Sequence, residues 1–338
     1  MSELRYDPIS DEWVVVATVR ARRPDSFAAP KATRAPMSCP FCTGEEHQTP
    51  PEVLAFRNGS APNGPGWQVR AFENKYPAFR LNGSPSLCCG EKYRKLVGSG
   101  RHEVVVLSPS HDNHMALLSQ EQAELVIQAF VDRYRDLEAN PNLRYITVIT
   151  NQGSRAGATL AHPHSQIFAV PMVPKAVRRE AVKMTRHYRR TGRCLVCDLL
   201  QHEQAVNERV VLDNEHFVAY IPYASAYPFE ITISPKEHSP RFGDLEGKRL
   251  TAFAQILREC SQMLRESLND PDYNSFLHAM PVHSGYPEEA MHWDWHIRPR
   301  LTTLGGFEHA TGLVINPTRP EDSAEFLRSH LQLGTMHL

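Results

Sequence analysis

No uninterrupted apolar run in this chain approaches the roughly 20 residues that span a bilayer, so no membrane partner is expected. An excess of charge is also missing. Lys and Arg total 37 against 38 Asp and Glu, a formal net charge of -1, which argues against nucleic acid as a partner. The first residues, MSELRYDPISDEWVV, lack the apolar centre of a secretory leader, so a cytoplasmic protein is expected. In that reducing setting, paired cysteines hold metal more often than they form disulfides. Seven cysteines and seventeen histidines are present. Basic residues cluster only locally, in VRARRP (19–24) and KAVRRE (175–180), which fits a small anionic ligand.

A chain of 338 residues suffices for one large domain or two smaller ones with a sizeable core. Strands are expected at EWVVVAT (12–18), WQVRAF (67–72), HEVVVLSPS (102–110), RYITVIT (144–150) and HSQIFAV (164–170). A helix is expected over 119–138, opened by a capping box of Ser119 and Gln122. The second half repeats the order, with strands at HFVAYIPY (216–223), FEITISPKEH (229–238), YNSFLHAM (273–280) and HWDWHIRPR (292–300), and a long helix over 244–268. LSPSH (107–111) aligns with ISPKEH (233–238), and AHPHSQIF (161–168) with MHWDWHIR (291–298). A C-x-x-C precedes each set. The period of about 130 residues suggests a duplicated unit. The expected fold class is α+β, a mainly antiparallel sheet with packed helices. The expected halves are 1–172 and 173–338.

Zinc favours four-coordinate sites of thiolate and imidazole. The first half offers Cys39, Cys42, His111 and His162; the second offers Cys194, Cys197, His238 and His292 at the matching repeat positions. Four ligands leave no open position, so the expected role is structural, with two zinc ions per chain. Iron is the alternative metal at the second site, with Glu180 and His296 as alternative ligands. The competing reading of each C-x-x-C is a redox pair or buried thiols, but CPFC lacks the βαβ context of a redox motif. Cys88, Cys89 and Cys260 are expected to be free thiols.

Within HPHSQ, strand alternation turns residues i and i+2 to one face, so His162 and His164 share it. The repeat separates their roles. His292 duplicates His162, whereas Asp294 stands where His164 lies. His164 is therefore the candidate for chemistry, a neutral imidazole able to attack phosphorus. Gln166 on the same face would donate its amide to a phosphoryl oxygen. The loop NQGSRAGAT (151–159) is either a mobile hairpin turn or a phosphate cradle of backbone N–H groups.

AHPHSQ with CPFC, ENKYPAF (73–79), VRARRP and the repeated half resembles the galactose-1-phosphate uridylyltransferase family of the histidine-triad superfamily, over roughly residues 5–327. The resemblance implies a duplicated histidine-triad-like unit and a homodimer. It also implies ping-pong transfer, in which His164 takes the uridylyl group of UDP-glucose and galactose 1-phosphate then receives it. By the same resemblance Asn74 belongs to the nucleoside pocket, and Asn151, Gly157, Thr159 and Gln166 to the phosphate loop. Arg20 and Arg23 would touch phosphate or sugar phosphate, against a solvated turn as the bland reading. Gly305, Gly306, Phe307 and Glu308 would bind hexose, in trans, against core packing for Phe307. The second C-x-x-C and LGGFEHATGLVINPTRPED (304–322) resemble the plant-type ADP-glucose phosphorylases, which implies adenylyl transfer to phosphate as the alternative activity. A non-enzymatic nucleotide-binding zinc module is the third reading.

Overall fold

Polar and apolar positions alternate along most strands, and the large sheet they form is antiparallel at every pairing. A computed structural model describes residues 2–18, 39–81, 87–89, 92–96 and 98–335. Arg20 and Arg23 lie outside the described residues, and so do the side chains of Cys88 and Cys89. The strands of the first half are β1 (Glu3–Asp7), β2 (Glu12–Val16), β3 (Glu52–Arg57), β4 (Trp67–Glu73), β5 (Leu87–Cys89), β6 (Arg94–Leu96), β7 (Arg101–Val106), β8 (Tyr145–Gln152) and β9 (His164–Val170). Those of the second half are β10 (Val210–Asp213), β11 (Phe217–Tyr220), β12 (Ile231–Pro235), β13 (Tyr273–His278), β14 (Asp294–Pro299) and β15 (Val314–Asn316). The helices are α1 (Gln120–Glu138), α2 (Lys175–Thr191), α3 (Leu195–Val206), α4 (Gly247–Ser267), α5 (Gly306–Thr311) and α6 (Pro320–Thr335).

Ten strands run in the order β10-β11-β12-β14-β13-β8-β9-β7-β4-β3. The order reads the same from either end when each strand is replaced by its repeat partner, so the two sets of five meet edge to edge at β13 and β8. The fold is the α+β arrangement expected from the sequence. A separate small sheet, β1-β2-β15, joins the first two strands to the last.

Strand alternation divides the large sheet into two faces. Val105 of β7, Ile167 and Ala169 of β9, and Trp295 and Ile297 of β14 enter the main core beneath α1 and α4. The intervening His102, His164, Gln166, Asp294 and His296 turn to the opposite face. Two helices thus absorb the apolar side of both halves, and the polar chemistry collects on the other. Helix α1 begins where expected, with the Ser119 hydroxyl accepting from Gln122 N–H. Only half of the capping box forms. The Gln122 side chain instead donates to the Gln68 and Leu107 carbonyls, tying the helix to the sheet. Cys260 is buried in α4 and free, as expected.

One ion pair fixes α1 against the site-bearing strand. Arg133 of α1 grips Glu103 of β7 through two bonds of 2.8 and 2.7 Å, and Glu103 is fully buried. Removing one member of such a pair strands a charge in the interior. Arg133→Met is expected to cost about 3–5 kcal/mol in denaturant unfolding, and adding Glu103→Gln should recover a large part of that loss.

Candidate active site

The HPH segment enters β9 from a sharp approach. Pro163 holds His162 extended, and the Pro163 carbonyl accepts from Leu107 N–H at 3.3 Å. His162 Nε2–H donates to the Ser108 carbonyl at 2.9 Å, which leaves the Nδ1 lone pair facing Cys42 Sγ at 3.6 Å. His111 Nδ1 lies 3.4 Å from the same sulfur. The ligand atoms of Cys39, Cys42, His111 and His162 all lie within 4.8 Å of one another. Zinc with sulfur at about 2.3 Å and nitrogen at about 2.0 Å separates the two by about 3.5 Å in a tetrahedron, so this set fits the ion. Burial and the adjacent Cys39 push the Cys42 thiol up to about 11, a strain that a dication bound to the thiolate removes.

The second set repeats the geometry. Cys197 Sγ lies 3.6 Å from His238 Nδ1 and 3.5 Å from His292 Nδ1, and Cys194 completes the group. His238 Nε2–H donates to the Glu288 carbonyl, again leaving Nδ1 for a metal. The two C-x-x-C pairs differ in setting. Cys39 and Cys42 share a turn closed by Cys42 N–H to the Cys39 carbonyl, whereas Cys194 caps α3 and Cys197 lies in its first turn. Either ion would staple a loop or helix start to the strands that supply the histidines.

His164 opens β9 and is only 8% exposed. Its Nδ1–H donates to the His162 carbonyl at 2.9 Å. That bond leaves the Nε2 lone pair as the nucleophilic end of the ring. Burial holds the imidazole below its ordinary pKa, despite the opposing bond to the carbonyl, so the ring is neutral at physiological pH. The Phe41 ring packs against it at 5.1 Å, T-shaped. Gln166 stands two residues on, its Oε1 2.7 Å from His102 Nε2. Asn74 reaches the same histidine and lines a cavity of about 400 Å³ with Pro50, Glu73, Lys75, Arg80, Leu81 and Arg101.

The loop between β8 and β9 is tied to β13 and to the segment that leads into it. Asn274 of β13 donates to Asn151 Oδ1 and to the Ala156 carbonyl, at 2.9 and 2.8 Å. The Asp272 carboxylate accepts from Arg155 N–H at 2.7 Å. Gly153 has φ +85°, and a Cβ there would sit 2.1 Å from Asp272 Oδ1, so the turn requires glycine. Gly157 has φ +91°, and Thr159 is exposed. Gly305 and α5 form an exposed segment in which Glu308 accepts from Gly305 N–H. Phe307 is 47% exposed, which rules out core packing. Among the described residues no hydrogen bond, ion pair or ring contact joins 305–308 to His164. His102, Phe41, Asp272 and Asn274 escaped the sequence reading. Strand alternation in RHEVVV is the signal that could have placed His102 on the site face.

In the second half the position that matches His164 is occupied by a closed cluster. Asp294 lies between His278 and His296, at 3.1 and 2.9 Å, and α2 delivers Glu180 to His278 Nε2 at 2.7 Å. Glu180 and His296, considered above as alternative ligands to the second ion, instead contact His278 and Asp294. Burial alone would depress His278, but Asp294 and Glu180 raise it to about 10. A raised folded pKa stabilises fully below the ordinary 6.5, and the gain is lost as pH rises through the folded value. The melting temperature of wild type should therefore exceed that of His278→Gln most near pH 6, with the gap narrowing toward pH 10.

Comparison with known proteins places this geometry in a family. The family described as galactose-1-phosphate uridyl transferase, N-terminal domain, matches residues 1–174, and a domain of unknown function (DUF4921) matches residues 100–333. The ADP-glucose phosphorylase of Arabidopsis thaliana is 34% identical over 96% of this chain and 92% of its own length. The galactose-1-phosphate uridylyltransferase of Thermotoga maritima is 29% identical over 97% and 98%. The crystal structure of the Arabidopsis phosphorylase with bound ADP-glucose superposes with a TM-score of 0.81 at 32% identity, over 97% of this chain and 99% of that one. A solved uridylyltransferase gives 0.76 at 26% identity, over 99% of both chains. On the family match over residues 1–174 and the near full-length relatives, the chain belongs to the galactose-1-phosphate uridylyltransferase family of nucleotidyltransferases.

Proposed function

We propose that this protein transfers the uridylyl group of UDP-glucose to a hexose 1-phosphate such as galactose 1-phosphate, through a covalent intermediate on His164. The observation that carries the reading is the single bond from His164 Nδ1–H to the His162 carbonyl, which aims a neutral Nε2 lone pair away from the backbone. Nε2 attacks the α-phosphorus. The bond to the bridging oxygen breaks, and glucose 1-phosphate leaves with the electron pair. A phosphate oxygen of galactose 1-phosphate then attacks the same phosphorus and displaces Nε2. The leaving and attacking groups are phosphate anions, so neither step needs a proton from the protein. The Nδ1–H bond stabilises the positive ring of the intermediate, and Gln166 would bind the transferred phosphoryl oxygens.

Asn74 and its cavity would take the nucleoside, and Asn151, Gly157 and Thr159 the phosphates. Gly305, Gly306, Phe307 and Glu308, turned to solvent, would serve the hexose of a second subunit in a homodimer, with Arg20 and Arg23 on the phosphates. The halves 1–172 and 173–338 would be the products of a duplication, which the paired order of the sheet supports. No helix among the described residues is long and apolar enough to cross a membrane. A second reading is adenylyl transfer from ADP-glucose to phosphate. It is favoured by the Cys194 and Cys197 pair and by the Arabidopsis relative.

Wild type incubated with UDP-glucose labelled at the α-phosphate should take up acid-labile label, and His164→Ala none. Equal labelling of the two would refute the intermediate. Faster labelling by ADP-glucose would select the second reading. The depressed pKa of His164 sets the pH dependence. The labelling rate should fall in acid with a midpoint below 6.5, the ordinary value for histidine. Metal analysis should find two zinc ions per chain, with iron the alternative at the second. Cys39→Ser with Cys42→Ser should remove one ion, Cys194→Ser with Cys197→Ser the other, and each should lower the melting temperature. A metal content near zero in active protein would reject the structural sites.

A further inference from the structure

We infer that His102 is a positioning residue for nucleotidyl transfer: it fixes the amide of Gln166 so that the NH2 group, not the carbonyl oxygen, faces the phosphoryl group taken by His164. The inference rests on the transfer reading above. A glutamine amide has two orientations of nearly equal shape, one presenting donors and the other an acceptor. Only the first attracts a phosphoryl oxygen. Something next to Gln166 must therefore choose between them.

The choice follows from the partners of the His102 ring. Ala78 N–H donates to His102 Nδ1 at 3.2 Å, so Nδ1 carries the lone pair. Burial keeps the ring neutral, and its single proton is on Nε2. Nε2–H needs an acceptor. Asn74 is 3.1 Å away, but its Oδ1 already accepts from Tyr76 N–H, so it presents Nδ2 and cannot accept. Gln166 Oε1, at 2.7 Å, is the acceptor that is left among the described residues. With Oε1 engaged, the Gln166 NH2 has no partner among the described residues and lies on the strand face it shares with His164.

The ring itself is held. It stacks on Phe168 at 4.0 Å with an interplanar angle of 22°, and His102 pairs with Phe168 across β7 and β9. The duplicated half uses the same slot. Val104 opposite Gln166 corresponds to Thr232 opposite His296, which puts Glu230 at the place of His102. Glu230 contacts His296 at 3.6 Å, as His102 contacts Gln166. In the second half the diagonal contact is an ion pair within a closed cluster. In the first it is a neutral donor that leaves one end of its partner free.

The test is single-turnover labelling of the full-length protein with α-labelled UDP-glucose and ADP-glucose. His102→Phe keeps the stack and removes the donor. Labelling should slow about 10- to 100-fold, as for loss of an oriented transition-state donor. Nucleotide-sugar affinity, measured by calorimetry in a His164→Ala background, should stay within about twofold of the parent. His102→Gln, whose amide N–H reaches the Nε2 position, should restore most of the rate. Gln166→Ala combined with His102→Phe should be no slower than Gln166→Ala alone, because both act through one amide. If His102→Phe does not fold, His102→Asn, which keeps a polar group at the Nδ1 position without the Nε2 donor, carries the same comparison. Wild-type labelling with an unslowed His102 variant, or multiplied losses in the double variant, overturns the inference alone. A wild type that accepts no label from either sugar nucleotide overturns the proposed function and the inference with it.

Discussion

The hydrogen bond from His164 Nδ1–H to the His162 carbonyl ties the two halves of the HPH segment into one device. His162 offers its ring to the cysteine cluster and its carbonyl to the next histidine, with Pro163 preventing the helical conformation that would pull these apart. A metal ion at the first set would hold the His162 ring, hence its carbonyl, hence the tautomer of His164. Structure far from the reacting atoms then serves that one bond. The Arg133–Glu103 pair holds β7 beside β9, and Asn274 and Asp272 reach from β13 to fix the turn that leads into HPH.

The two halves share a strand order and part company at the position of His164. Both halves carry the same sheet and the same cysteine-histidine geometry, and both turn polar residues to the face opposite α1 and α4. In the second half, α2 brings Glu180 onto that face, and Asp294 is held well below its ordinary pKa by His278 and His296. Both histidines contact Asp294 Oδ1, at 3.1 and 2.9 Å, and the carboxylate is buried within the cluster. The second half keeps the cysteine-histidine set and has an ion cluster where the first half has His164.

Much of this was legible in the chain itself. Strand β9 begins at the expected His164, α1 at the expected Ser119 cap, and the repeat named all eight residues that the fold brings into two ligand sets. Repetition carried this information: His111 and His238 come from segments far from their cysteines, and only their matching places in the two halves singled them out. Long-range side-chain pairing was not legible. Nothing local links His102 to Gln166, Asn274 to Asn151, or Glu180 to His278, because each contact depends on strand order and register. Helix α2 was missed for a different reason. Its apolar stripe is short, Val177, Ala181 and Met184, within a strongly basic run that reads as a solvated or anion-binding segment.

The central claim is that the resting enzyme presents His164 as a neutral ring protonated on Nδ1 and bare on Nε2. Nitrogen-15 NMR of the histidine-labelled, metal-loaded protein at pH 7, with His164 assigned by comparison with His164→Gln, measures this directly. The account predicts one nitrogen at the shift of a protonated, hydrogen-bonded Nδ1 and the other at that of an unprotonated Nε2. A ring protonated on Nε2, or a doubly protonated imidazolium, would contradict it.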